Sequence, residues 1–165
     1  MSGPGGELQP RGEDWELQVV LFEIEGVTYG VEVDRVLEVI LRPEVSRVPS
    51  AAACVEGVIN LRGSVIPVLD LRQRLRLGGD ASRATHIVIA LVQGTVAGLS
   101  VDGVLQVARI PVASVAPPPA AITGPDVRYV EGIAKLEGGL CVLLDLDLAL
   151  RPEELLAVRG DLDGK

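Results

Sequence analysis

Aromatic residues are almost missing from this chain of 165 residues, which has one Phe, one Trp and two Tyr. Proteins that hold single-stranded nucleic acid stack bases on aromatic rings and neutralise phosphates with Lys and Arg. The net charge of −8 removes the second element too, so nucleic acid is not an expected partner. One His and two Cys are too few for a metal site at local ligand spacing, and no cofactor is expected. His86 reads as a strand residue with a satisfied ring, since no Cys or Ser elbow accompanies it. Cys141 falls at an interior strand position, where a thiol acts as a small hydrophobe; a disulfide with Cys54 is not expected in the cytosol. No apolar run approaches the roughly 18 residues that would span a bilayer. Residues 1–7 lack the basic and apolar regions of a signal peptide. The expectation is a cytoplasmic protein without direct membrane insertion. Paired carboxylates and Cys/His pairs suited to chemistry are missing as well. Gly138-Gly139 lies between acids and apolar strands, not beside basic residues at a helix N-terminus. No catalytic residue is assigned, and no enzymatic activity is expected.

What the chain does have is aliphatic residues and a repeat. Hydrophobic residues make up 48% of it, so the core must be built from Val, Leu and Ile. Residues 55–71 return at 130–146, with eight of seventeen positions identical at an offset of 75. Residues 26–39 return at 94–107, with seven of fourteen identical at an offset of 68. Both blocks keep their order, which marks two copies of one structural unit. The expected organisation is a disordered tail at 1–16, one domain at 17–150 with subdomains at about 17–80 and 85–150, and a short helix with a tail at 151–165. The connection between blocks is longer in the second copy, and its run Ala116-Pro117-Pro118-Pro119-Ala120 reads as an extended surface spacer.

Strand signals dominate. Alternation and β-branched residues predict strands at 17–24, 28–33 and 36–41, then 57–61 and 65–69 around the turn Arg62-Gly63. Pro67 cannot donate a ladder bond, which predicts an edge or bulge there. Asp70 is placed as the cap of a short helix at 71–77, closed by Gly78-Gly79. A short turn of helix is expected at 51–55. The second half repeats the scheme with strands at 86–92, 96–101, 104–110, 127–136 and 140–144. Asp145 takes the capping place of Asp70, and 151–158 read as a further helix. About five short strands per half suggest two small barrels.

Arg62 sits at a hairpin turn, where its fork could pair with a carboxylate; Glu38 is the candidate. Arg62 and Glu38 become Glu137 and Gln106 in the second copy, so the fold does not demand the charged pair.

Three segments resemble the CheW-like family of bacterial chemotaxis coupling proteins. The signature is Val55-Glu56-Gly57-Val58-Ile59-Asn60-Leu61-Arg62-Gly63-Ser64-Val65-Ile66-Pro67-Val68-Leu69-Asp70-Leu71-Arg72. Tyr29-Gly30-Val31-Glu32-Val33-Asp34-Arg35-Val36-Leu37-Glu38-Val39 is similar to the upstream motif. Gly98-Leu99-Ser100-Val101-Asp102-Gly103-Val104 is similar to the second-half motif. The resemblance covers about residues 17–150. It implies an all-β fold with short helices, made of two SH3-like five-stranded barrels related by internal duplication, without catalysis. It also implies a scaffold that couples the cytoplasmic hairpin of methyl-accepting chemoreceptors to the regulatory domain of a CheA-type histidine kinase. Localisation at membrane-associated receptor arrays and self-association within them follow from the same resemblance. It assigns receptor binding to Val36, Glu38, Arg62, Gly98, Val104 and Val107, and kinase binding to Gly57, Val58 and Asn60. Helix-in-groove docking needs apolar anchors flanked by polar residues, which Val36 beside Glu38 supplies.

Other readings stay open at this stage. They are a CheW-like regulatory module from another two-component pathway, such as a piece of a kinase, and an unrelated β-barrel binding protein. The long Pro-rich connection is the visible departure from the family pattern.

Overall fold

A computed structural model describes residues 9–11, 14–49, 54–118 and 128–149. Most of the helix expected at 51–55, the far end of the Pro-rich connection and the helix at 151–158 lie outside the described residues. The strands are β1 (Gln9–Arg11), β2 (Asp14–Ile24), β3 (Val27–Glu32), β4 (Val36–Leu41), β5 (Val55–Leu61), β6 (Ser64–Leu69), β7 (His86–Val92), β8 (Thr95–Val101), β9 (Gly103–Pro111), β10 (Val115–Ala116), β11 (Val130–Leu136) and β12 (Gly139–Leu144), followed by α1 (Leu146–Ala149). The tight turns follow from X-Gly pairs. Glu25-Gly26, Arg62-Gly63 and Gln93-Gly94 all have φ between 51° and 91°, the pairing that lets a two-residue loop match strand twist.

The strands form two barrels in agreement with the duplication, but each barrel draws on both halves of the chain. One sheet runs β4-β7-β8-β6-β5. The other runs β1-β2-β3-β12-β11-β10, with β9 also on β2. The hairpin β2-β3 of the first half therefore completes the second-half barrel, and β7-β8 completes the first-half barrel. The division at 17–80 and 85–150 marks the repeat units, while the strand pairing crosses it. Equivalent parallel contacts join the exchanged hairpins: Val68 pairs with Gly98 in the first barrel and Leu143 with Gly30 in the second, and both pairs obey the offsets of 75 and 68.

Burial explains the exchange. Ile59, Ile66, Val68, Ile87 and Ile89 fill the first barrel. Val19, Leu21, Ile110, Ala134, Cys141 and Leu143 fill the second. A third cluster, with Phe22, Val31, Val88, Ala90, Leu99 and Leu144, lies between the barrels. Strands such as β7 are covered on both faces, so they read as continuous apolar runs instead of alternating ones. Neither cysteine forms a disulfide, and both are buried. Burial pushes the Cys141 thiol up to about 11. The His86 ring meets Thr85 Oγ1 at 2.8 Å through Nδ1, the satisfied strand histidine that was expected.

Three local expectations are corrected. Within the tail expected to be disordered at 1–16, Gln9–Arg11 form β1 and pair antiparallel with residues 14–16 at the start of β2, so the ladder begins before residue 17. Residues 72–76 form a series of turns and not a regular helix; Arg76 has φ +60°, which a right-handed helix cannot hold. Asp70 still accepts from the Arg72 amide at 3.0 Å, as Asp145 does from Asp147 ahead of α1. Pro67 lies on an interior strand. Val58, opposite Pro67, directs both its N–H and its C=O to Ser46, and pairing of β6 with β8 begins only at Val68. The missing N–H thus falls at a position where β6 makes no ladder hydrogen bond to β5 and its pairing with β8 has not begun.

Candidate docking surfaces

Arg62 and Glu38 meet, the pairing expected of the Arg62 fork. Arg62 stands at the β5-β6 turn with φ +51° and forms a two-pronged ion pair with Glu38 on β4, with one prong at 3.3 Å between Nη1 and Oε1. The hydrogen bond and charge of Glu38 hold the guanidinium above its ordinary value. The pair borders a groove of about 570 Å³ lined by Leu37, Leu61, Val65, Pro67 and Val96. Strand β4 alternates, with Val36, Glu38 and Ile40 partly covered and Leu37, Val39 and Leu41 outside.

The other candidates are distributed unevenly. Val36 begins β4 and Val104 is the second residue of β9, and both pack against the cluster between the barrels. They are equivalent residues at offset 68. Val107 lies outward on β9 in the other sheet. Gly98 is buried in β8, where a Cβ would stand 2.6 Å from Ile87 Cγ2, so close packing explains its lack of a side chain. Gly57 is buried as well: a Cβ would stand 2.2 Å from the Ser46 carbonyl oxygen. Its equivalent Gly132 would meet Ala116 O at 2.8 Å. Val58 exchanges both backbone bonds with Ser46 at 2.8 Å. Asn60 is exposed, and its Oδ1 accepts from the Gly63 amide at 2.8 Å. The residues assigned to different partners are therefore neighbours, because Asn60 buttresses the turn that carries Arg62.

Three features escaped the sequence reading. The first is a duplicated apolar patch. Leu37, Val39 and Val65 are exposed on the first barrel, and Leu105, Val107 and Leu140 on the second. They match at offsets of 68, 68 and 75. The available signal was apolar identity at outward positions in both copies. The second is Arg72, which is 3% exposed. Its Nε bonds Glu25 at 2.8 Å, and its Nη atoms reach Asp70 and Asp102. Burial opposes the guanidinium charge, but these three carboxylates outweigh it and hold its pKa above the ordinary value. The third is Arg42, which pairs with Glu56; Ser100 Oγ accepts from Arg42 at 2.8 Å and donates to Glu56 at 2.7 Å. The second barrel has Glu131 and, from the exchanged hairpin, Glu32 at the places of Glu56 and Ser100. Burial and the nearby charges of Glu32 and Asp145 push Glu131 up to about 7 against the pull of Arg35.

Among the described residues no helix is long and apolar enough to cross a membrane.

The sequence matches the family model of the CheW-like domain over residues 18–154. It is 32% identical over 148 residues to the chemotaxis protein CheW of Thermotoga maritima, covering 88% of this chain and 93% of that protein. It is 28% identical over 148 residues to the chemotaxis protein CheW of Treponema pallidum, covering 86% of each. Against the protein FrzA of Myxococcus xanthus, identity is 34% over 105 residues, covering 63% of this chain and 66% of that protein. The crystal structure of the scaffolding protein TtCheW from Thermoanaerobacter tengcongensis superposes with a TM-score of 0.73 at 34% identity, covering 84% of this chain and 97% of that one.

Proposed function

The chain belongs to the CheW-like family, and from that premise we propose that it is a non-catalytic adaptor coupling chemoreceptor cytoplasmic tips to a CheA-type histidine kinase in chemotaxis signalling. The observation that carries this reading is the pair of apolar patches at equivalent positions of the two barrels. An adaptor must hold at least two partners at once. Exposed apolar residues grouped on a soluble surface mark places where another protein sits. The patches share a backbone frame but differ in their rims, Glu38–Arg62 on one and Gln106 with Glu137 on the other, so they can discriminate between partners.

The receptor hairpin is placed at the barrel junction. Val36 and Val104 supply apolar anchors there, Glu38 and Arg62 the polar flank, and Val107 an outer contact on β9. The kinase regulatory domain is placed on β5, through Val58 and Asn60. Gly57 and Gly98 act on these contacts through packing, by holding Ser46 and Ile87 close. Leu37 and Val65 of the first patch share a groove with Glu38 and Arg62 and extend the receptor site, Val107 brings in the second patch, and self-association at membrane-associated arrays uses the surface these partners leave open. The two partner sites meet at the Asn60–Gly63 turn, so occupancy of one is felt at the other.

The test is titration calorimetry of the full chain with a receptor hairpin fragment and, separately, with a kinase regulatory domain. Val36→Asp should weaken receptor binding by tenfold or more, about 1.4 kcal/mol or above, and leave kinase binding near its original value. Unchanged affinity for both partners would remove the assignment.

A further inference from the structure

The duplication places two clamps across the junction of the barrels, and their charges run in opposite senses. In the first clamp Arg72, which follows β6, reaches Glu25 in the β2-β3 turn of the other barrel and Asp102 in the crossover from β8 to β9. Asp102 also accepts from the Glu25 amide at 2.7 Å. In the second clamp Asp147, which follows β12, stands at the place of Arg72. Its Oδ1 accepts from the amide of Gln93 in the β7-β8 turn at 2.7 Å, and its Oδ2 lies 3.1 Å from Arg35 in the crossover from β3 to β4. Residues 72 and 147 correspond at offset 75, and residues 25 and 93 at offset 68. The cation comes from the post-strand segment in one clamp and from the crossover in the other.

Their settings differ. The Arg72 guanidinium is 3% exposed and held by three carboxylates that are 29–33% exposed, so the contrast between the clamps lies in the cation. Arg35 and Asp147 are 43% and 33% exposed. Exposed charges are screened by salt, whereas buried ones are screened much less. We propose that the barrel junction is an asymmetric joint, in which Arg72 is a fixed pin and the Arg35–Asp147 pair is a latch that ionic strength releases. Both crossovers lead into the junction valines. Arg35 immediately precedes Val36, and Asp102 lies two residues before Val104. Opening the latch moves Val36 while the pin keeps Asp102 and Val104 in place, which makes the junction adjustable. This last consequence rests on the receptor assignment above; the joint itself does not.

Two backbone amides report the two clamps separately in the full-length protein. Amide hydrogen exchange is measured by NMR at Gln93 and Glu25 while NaCl is raised from about 0.02 to about 0.5 M, enough to shorten the screening length several-fold. Gln93 exchange should accelerate by roughly tenfold, as expected for local opening, and Glu25 exchange by less than about twofold. Arg35→Ala should give fast Gln93 exchange already at low salt and remove its salt dependence. Arg35→Lys keeps a cation beside Asp147 and leaves the Asp147 acceptor in place, so it should slow Gln93 exchange relative to Arg35→Ala and restore its salt dependence. Equal protection of both amides at every salt concentration, or an Arg35→Ala protein indistinguishable from the parent, overturns the joint. The affinity of a receptor hairpin fragment for the same proteins is measured alongside. If exchange behaves as stated and that affinity is indifferent to Arg35→Ala, the joint stands and the receptor placement fails.

Discussion

Asn60 accepts a hydrogen bond from the Gly63 amide at 2.8 Å, and Arg62 lies inside the loop so closed. One side chain on β5 therefore sets the pose of the cation that pairs with Glu38 on β4. Asn60→Ala should loosen this turn and shift the Arg62 side chain, visible as greater disorder of the guanidinium in a crystal structure. An unaltered Arg62–Glu38 pair in Asn60→Ala would show that the turn does not need its brace.

Arg62 and Glu38 lie at the surface, where ion pairs contribute little to folding. Arg62→Ala should shift Tm by no more than about 2 °C while lowering receptor-dependent kinase control. The charge reversal Arg62→Glu with Glu38→Arg, read in a double-mutant cycle of receptor affinity, should recover part of the loss. Normal control in Arg62→Ala would take the pair out of the receptor site.

Gly57 has almost no room for a side chain, since the Ser46 oxygen would be 2.2 Å from a Cβ. Gly57→Ala should cost about 1–3 kcal/mol, the range for overpacking, measured by urea unfolding. Gly132→Ala, facing Ala116 O at 2.8 Å, should cost less. Gly57→Asp should lower stability before kinase affinity is considered, so its binding must be read on the folded fraction. Equal costs at 57 and 132 would contradict the packing argument.

Arg72 is the buried charge with the most to lose. Arg72→Leu leaves Glu25, Asp70 and Asp102 without their shared cation; breaking a fully buried pair costs about 3–5 kcal/mol, and because these carboxylates are 29–33% exposed the loss here should fall below that range. Arg72→Lys should restore only part of it, because an ammonium cannot present the same fork to several carboxylates. A drop within experimental error in denaturant unfolding would mean that water already relieves these carboxylates.

Glu131 links stability to pH. Its folded value, about 7, lies above its ordinary value of 4.5, so the folded state binds the proton more tightly than the unfolded chain does. Its contribution is full below about 4.5 and is lost as pH rises through about 7. By surface area Glu131 is exposed, so solvent screening keeps the effect small. Over this interval Glu131→Gln should flatten the decline of Tm with rising pH; a parallel curve for the variant would assign the decline to other groups.

The strands were legible in the sequence because alternation and X-Gly turns are local signals, and the Arg62–Glu38 pair was legible because a turn Arg offers a fork to a nearby carboxylate, while the second copy showed that the fold does not require it. The exchange of hairpins was not. It depends on parallel pairing between residues such as Leu143 and Gly30, far apart in the chain, and Ile87-Val88-Ile89-Ala90 is apolar on both faces, so periodicity cannot say which sheet a face joins. Arg72 was visible within the signature segment, but its carboxylates at Glu25 and Asp102 lie 47 and 30 residues away. The placing of Asn60 and Arg62 at different partner faces came from resemblance alone, and strand geometry sets them side by side.

The exchanged hairpins have a consequence for the life history of the chain. As the ribosome releases residues 1–80, strands β4, β5 and β6 exist without the hairpin that completes their barrel, and β2-β3 has nothing to complete. Closure of the first barrel waits for Val101, and closure of the second waits for Leu144. Neither half can be cut away as an autonomous unit, although the two halves are copies. One repeat alone would have to borrow its missing hairpin from a twin chain, as swapped dimers do. The architecture is that of such a pair of twins joined end to end, and within one chain the equivalent places can hold different residues, Arg62 and Arg72 in one copy and Glu137 and Asp147 in the other.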